Sequence, residues 1–252
     1  MATVTPAAAR RPRCYVRVQG PDALDYLNRM LSNDVPSEGS VDALLLTAKA
    51  RVIAPLLVWR RGDDDVLLLT EPELGEVVRA QLTRMRFAAK CEIELEQHTS
   101  TIVFGEGEGI PNRDYGSPAV ELLDTDVEVS LSDDELERLR IEAATPRFGR
   151  EIDDRVLPAE AGLDERAISF SKGCYPGQEP VARQHFRGKV NRMLRVLEVA
   201  GPPPAPETPV LHEGKEVGRV TSAVPGLALA YVRVSVPADA VLDIGSEKAR
   251  LH

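Results

Sequence analysis

Cysteine is scarce: three residues in a chain of 252, at positions 14, 91 and 174, with no C-x-x-C pair. Such wide spacing argues against a disulfide framework and does not make a zinc site. It also leaves too few thiolates for the chain alone to ligate an iron–sulphur cluster, and no bound metal is expected. No apolar run approaches the roughly 18 residues of a membrane helix, so none is expected here. Met1 to Pro12 is rich in Ala, Pro and Arg but lacks the apolar core of a secretory signal. It reads as a disordered lead-in. Few cysteines and no signal imply a reducing cytoplasm. Aromatics are sparse too, with five Phe, five Tyr and one Trp, and the formal net charge is −9. Both disfavour nucleic acid as a partner, since little is there to stack bases or attract phosphates.

What is present suits one large domain or two to three small ones, with 43% hydrophobic residues. Period-2 patterning predicts strands at 13–19, 41–47, 51–59, 66–70, 91–96, 101–104, 119–123 and 127–131. Leu24, Leu27, Met30 and Leu31 form a helical stripe after Gly20-Pro21-Asp22. Pro72 opens a second helix whose Leu74, Val77, Val78, Leu82 and Met85 share a face. Ser132 and Glu135 form a capping box for a third helix, with Leu136, Leu139 and Ala143 inward. Its acid cluster suits the helix dipole and requires no ligand. Gly105 to Pro118 reads as a loop. Beyond the Pro-rich stretch 201–206, short strands at 193–199, 208–212, 215–222, 227–236 and 239–244 predict a small β-barrel, with Glu213-Gly214 as a hairpin turn.

The cysteines sort by context. Cys14 and Cys91 sit on the apolar faces of strands and read as core. Cys174 stands apart in Lys172-Gly173-Cys174-Tyr175-Pro176-Gly177-Gln178-Glu179. Two glycines and a proline exclude a regular helix or central strand. The segment is either a surface turn or a site, with a thiol two residues from a cation that favours the thiolate. From Lys172 to Arg195 six basic residues face one acid, a local +5 in an acidic chain. This is either a solvated surface or a wall for an anion, whether phosphate, polycarboxylate or RNA. His185 lies within it; His98, His212 and His252 carry no pattern. Trp59 reads as core or channel wall.

The octapeptide resembles the KGC-aromatic-x-GQE signature of the YgfZ family, relatives of the glycine cleavage T-protein. Arg147-Phe148-Gly149-Arg150-Glu151-Ile152, Leu157-Pro158-Ala159-Glu160-Ala161-Gly162-Leu163 and Gly188-Lys189-Val190-Asn191-Arg192 are similar to further family elements in the expected order. Gly20-Pro21-Asp22-Ala23 and Leu31-Ser32-Asn33-Asp34-Val35 resemble the family's opening, so the likeness spans 14–235.

The resemblance implies an α+β three-part cloverleaf around a channel for tetrahydrofolate or a one-carbon derivative. Its parts would be 1–19 plus 99–190 as the folate-binding domain, 20–98 as an inserted ferredoxin-like unit, and 191–252 as the C-terminal β-barrel. It also implies support of iron–sulphur cluster assembly or repair, with client proteins or assembly factors as partners. By that analogy Glu160 holds the pterin, Arg147 or Arg183 meets the folate's glutamate, and Tyr175 adds to the cofactor site. Cys174 would be the reactive group, with Lys172 supporting its thiolate and Gln178 and Glu179 beside it.

Two positions depart from the pattern. Where the T-protein strand carries an aspartate used in aminomethyl transfer, the equivalent stretch here contains Ala54-Pro55, neither of which is an acid or base. Aminomethyltransferase activity is therefore not expected, and Pro55 predicts a strand edge or bulge. Pro176 replaces a small or β-branched residue and stiffens the cysteine loop. The alternative is a folate-dependent one-carbon transferase in which Asp34 or Glu179 substitutes for the missing acid.

Overall fold

The computed structural model describes residues 6–188 and 190–252, and no side chain at Arg187. Met1–Thr5 of the expected lead-in, and Lys189 of the basic stretch, lie outside the described residues. The chain opens with β1 (Ala8–Arg10), β2 (Cys14–Gln19), α1 (Ala23–Met30), β3 (Ser40–Leu46), β4 (Val52–Arg60) and β5 (Asp65–Thr70). A 3-10 turn at Pro72–Leu74 leads into α2 (Gly75–Met85), then β6 (Glu92–Glu96), β7 (Ser100–Phe104), β8 (Ile110–Asn112) and β9 (Ala119–Leu123). Three helices follow: α3 (Asp133–Glu142), α4 (Asp164–Ala167) and α5 (Gln178–Arg187). The last strands are β10 (Arg192–Val199), β11 (Pro209–His212), β12 (Lys215–Val224), β13 (Leu227–Arg233), β14 (Val241–Ile244) and β15 (Glu247–Leu251). Among the described residues no helix is long and apolar enough to cross a membrane.

Strand pairing sorts these into three sheets. The first has order β3-β4-β5-β2-β6, the second β1-β7-β9-β8, and β10-β13-β12-β11-β14-β15 closes into a barrel. The five-stranded sheet is covered on both faces, which explains why Val66 through Thr70 are buried without alternation. One face packs Val16, Val18 and Leu68 against Leu27 of α1 and Val78 and Leu82 of α2. The other packs Tyr15, Leu57, Leu67 and Leu69 against Ile110 of the four-stranded sheet, with Trp59 at the margin. A third apolar cluster joins Leu44 and Leu46 of β3 to Ile141 of α3, Tyr175, and Leu229 and Tyr231 of the barrel.

Several elements depart from the sequence expectation. The lead-in is not disordered at Ala8–Arg10, because β1 pairs with β7 and Ala8 N–H donates to Ser130 Oγ. β2 pairs with β5 and β6, so its strand belongs to the same sheet as the elements of 20–98. Residues 127–131 form no strand, and β8 sits inside the expected loop. Val77 is exposed rather than on the α2 core face, and on α3 Ile141 and Arg140 are buried with Leu136. Pro55 lies in an internal strand, yet β5 pairs with β4 only from Leu57 onward; at Pro55 the strand has β3 alone as a neighbour. The missing N–H is thus tolerated as it would be at an edge. The capping box at Ser132 and Glu135 is formed. So is the Glu213-Gly214 turn, with both residues at positive φ.

Two polar clusters tie the parts together. Glu151 has no exposure and uses both carboxylate oxygens: Oε2 accepts from Arg140 Nη1 (3.0 Å) and Arg147 N–H (2.9 Å), Oε1 from Ser222 Oγ (2.7 Å). Tyr231 of the barrel donates to the Glu151 carbonyl at 2.9 Å. Elsewhere His98 bridges the two sheets, with Nδ1 2.6 Å from Asp124 and Nε2 2.9 Å from Glu96. Partial burial disfavours a charged ring, but the hydrogen bonds to Asp124 and Glu96 outweigh it and raise the His98 pKa. The Arg61 hydrogen bond drives Glu96 down to about 2.

A folded pKa above the ordinary ~6.5 means that protonated His98 stabilises the fold below that pH, and that this contribution fades as pH rises through the folded value. Urea unfolding at stepped pH should show stability declining on the alkaline side of about 6.5, and His98→Gln should flatten that limb. An identical pH slope in the variant would exclude the bridge as its source.

Candidate functional site

A cavity of ≈ 250 Å³ opens between the β3–β4 hairpin, the segment before β2, the loop after β8, and the starts of α3 and α4. Its floor is apolar, formed by Ala43, Leu44, Pro55, Leu56 and Leu57 of the hairpin. Its walls are guanidinium-rich, and the inner arginines are all matched by acids. Arg11 meets Glu71 through two bonds of 2.8 and 3.1 Å. Arg13 donates to the fully buried Glu121 at 2.7 Å and reaches Asp114 at 3.4 Å. Glu121 also accepts from Ser100 Oγ and Asn112 Nδ2, so its burial leaves no lone charge. Arg140 pairs with Glu137 at 2.7 Å, and Arg166 bridges Asp42 and Asp114 at 3.0 and 2.8 Å.

These pairings set the protonation of the walls. Burial alone would raise the carboxyls of Glu71, Asp114 and Glu137. The neighbouring arginines outweigh it, chiefly Arg11, Arg13 and Arg140 respectively, and all three pKa values end lowered. One inner group is left over: Arg11 Nε is buried without a hydrogen-bond partner. The exposed charged residues of the lining behave differently. Arg147 lies 3.9 Å from Glu71 and 3.7 Å from Glu137, too far for tight pairing. Arg10, Arg113 and Asp133 are exposed and carry no ion pair among the described residues.

The octapeptide loop is a second constellation. Tyr175 turns inward and is buried in the cluster that joins β3 to the barrel, where burial pushes its hydroxyl up to about 12. Cys174 points the other way and is the exposed member of the three free cysteines; Cys91 is buried and Cys14 half-buried against Gly75. Gly177 has φ +86, and a Cβ there would stand 2.6 Å from the Thr47 carbonyl oxygen, so the loop is seated on the tip of the β3–β4 hairpin. Gln178 Nε2 reaches back to the Lys172 carbonyl at 3.4 Å and closes the loop.

The other expected site residues separate. Lys172 does not face the thiol: its ammonium donates to the carbonyls of Leu31 (2.9 Å) and Asn33 (2.6 Å) at the end of α1. Burial lowers its pKa, with Asp34 opposing. Glu179 and Arg183 pair with each other at 2.6 Å on the exposed face of α5, away from the cavity lining. Beside them Phe186 is 70% exposed, and Phe170 stacks on His185 at 3.8 Å. Glu160 also lies outside the cavity lining, gripped by Arg192 (3.0 and 3.3 Å) and the Leu157 N–H (3.0 Å). Of the residues expected to hold a cofactor, Arg147 alone lines the cavity. Of the inner arginines, Arg11 was missed because Met1 to Pro12 reads as lead-in, and Arg13 because it reads as the start of a strand. The basic run Arg10-Arg11-Pro12-Arg13 abutting that strand was the available signal, and Arg140 and Arg166 carry no comparable local one.

Comparison with known proteins gives the relatives of the chain. Residues 191–252 match the family model for the CAF17 C-terminal beta-barrel domain. An uncharacterized protein of Haemophilus influenzae is 29% identical, over 83% of this chain and 81% of that one. The tRNA-modifying protein YgfZ of Serratia proteamaculans is 26% identical over 73% of this chain and 68% of its own length. The iron-sulfur cluster assembly factor IBA57 homolog of Pyricularia oryzae is 22% identical over 93% and 73%. The crystal structure of glycine cleavage system aminomethyltransferase T from Bartonella henselae superimposes with a TM-score of 0.80, at 18% identity, covering 97% of this chain and 84% of that one. The likeness in fold extends over nearly the whole chain, and its homologues in sequence include YgfZ, IBA57 and aminomethyltransferase proteins.

Proposed function

We propose that this chain is a reduced-folate-binding accessory protein that supports iron–sulphur cluster assembly or repair. The observation that carries the reading is the arrangement about one hairpin: an arginine-walled cavity on its flank and, seated on its tip, the loop bearing the exposed Cys174. The names of the relatives support the assembly role, and the likeness to aminomethyltransferases supports the folate.

The cavity residues fit a pterin. Leu44 and Pro55, cross-strand neighbours on one face of the hairpin, offer an apolar floor, and Arg11 Nε is a wall donor without a partner among the described residues. Asp133 supplies a free carboxylate for ring N–H groups. Arg147, loosely paired, suits the carboxylate of the folate's glutamate. A bound reduced folate supplies a carrier for a one-carbon unit. Glu160 and Arg183 have no part in this reading, since each is committed to another partner outside the cavity lining.

The transferase alternative lacks the acid of the T-protein position. Pro55 and Ala54 offer no acid or base, and Glu71, Asp114 and Glu137 are held ionised by arginines, which makes them poor proton donors near neutral pH. Cys174 is the one reactive group that the packing leaves exposed in the loop.

Two measurements test the proposal. Cys174→Ser, an exposed change, should shift unfolding free energy by no more than about 0.5 kcal/mol and abolish restoration of iron–sulphur enzyme activity in a strain lacking the gene. Full restoration would remove the thiol from the function. In calorimetric titration with tetrahydrofolate, Arg147→Ala should weaken binding about tenfold, the worth of one charge-assisted contact, while Arg183→Ala leaves it unchanged. The opposite ranking would move the tail to α5.

A further inference from the structure

The cavity's size and its outer charges point beyond the ring. At ≈ 250 Å³ it falls under the roughly 300–1,000 Å³ of sites that enclose a drug-sized ligand. A folate seated by its ring must therefore extend past the opening. The charges there are unbalanced: among the described residues the exposed lining residues Arg10 and Arg113 have no ion pair and Arg147 only two loose ones, against Asp133 alone among the lining acids. The inner arginines differ, since Arg11, Arg13, Arg140 and Arg166 are each neutralised by a carboxylate within 3.0 Å. Two unpaired cations and a third only loosely paired, on the rim of a protein carrying −9 overall, form a local field opposite to the molecule's own.

We propose that this rim is a subsite for an oligoanionic tail, and that the chain selects the γ-linked oligoglutamate form of the reduced folate through Arg10 and Arg113. The inference rests on the folate reading above and adds to it which form of the ligand is bound. Arg113 also lines an adjoining open groove of ≈ 550 Å³ bounded by residues of the loops around β8. Glu106 is the carboxylate of that groove, and it repels a tail running its length. The subsite is thereby confined to the rim, with room for the first few carboxylates. Guanidinium forks suit this role because each carboxylate can be met by two N–H groups. Arg10 is fixed by the pairing of β1 with β7 in register with Thr101, so its position does not depend on the ligand.

The test titrates the full chain with tetrahydrofolate bearing one glutamate and with its pentaglutamate, at low and high salt. The wild type should bind the pentaglutamate about tenfold more tightly at low salt, and the preference should shrink at high salt. The Arg10→Ala, Arg113→Ala double variant should bind the two forms equally, with monoglutamate affinity retained, and the corresponding Lys double variant should restore most of the preference. Equal affinity of the wild type for both forms, or a preference that survives in the Ala variant, would overturn the subsite while leaving the folate reading intact. Binding of neither form would overturn the folate reading, and the subsite with it.

Discussion

A carboxylate with no contact with water is costly unless each of its oxygens is occupied. Glu151 meets that condition only where three parts of the chain converge: Arg140 from α3, the Arg147 amide from the turn that follows, and Ser222 from the barrel. Its backbone carbonyl is used as well, by Tyr231. The barrel is therefore held to the centre by directional bonds in addition to the apolar cluster of Ile141, Leu229 and Tyr231. Arg140 carries the constraint onward, since its other face grips Glu137 at the edge of the cavity. The Arg147 amide, pinned by Glu151, positions a side chain whose own charge is only loosely paired, with Glu71 and Glu137.

The same economy governs the cavity walls. Burying Arg13 would be prohibitive without Glu121, and Glu121 without Ser100 and Asn112. Satisfying these groups internally leaves a lined but rigid hollow, with unspent charge only on its outer parts. Preorganisation of that kind reduces the ordering that binding must supply.

Legibility in the sequence followed the range of the interactions. Local signals were readable: the Ser132–Glu135 capping box, the Glu213-Gly214 turn, the alternation that hides Cys91, and the glycine-bounded loop that sets Cys174 outside any apolar pattern, though its exposure was not legible. Elements made by distant partners were not. β1 is three residues long and exists because β7 lies beside it; β8 sits in a Gly- and Pro-rich stretch and is held by β9. The final strand β15 closes the barrel against β10 and was absent from the expected set. The site shows the same divide. Arg147, one of the expected residues, lines the cavity, but no local pattern says that Glu160 will be taken by Arg192, or that Lys172 will cap α1. Ion pairs between residues more than a hundred positions apart, such as Arg13 with Glu121, leave no periodic trace.

Closure of the barrel also limits how another macromolecule can engage this end of the protein. Six strands paired in a ring offer no row of free amides and carbonyls, so an incoming chain cannot extend it by strand addition. The five-stranded sheet does have an open margin at β6, but Glu92, Glu94 and Glu96 recur along it. Like charges at every second position discourage a neighbouring copy from zipping on. Self-association through backbone ladders is thereby discouraged at the barrel and at β6, where recognition is left to side chains and loops.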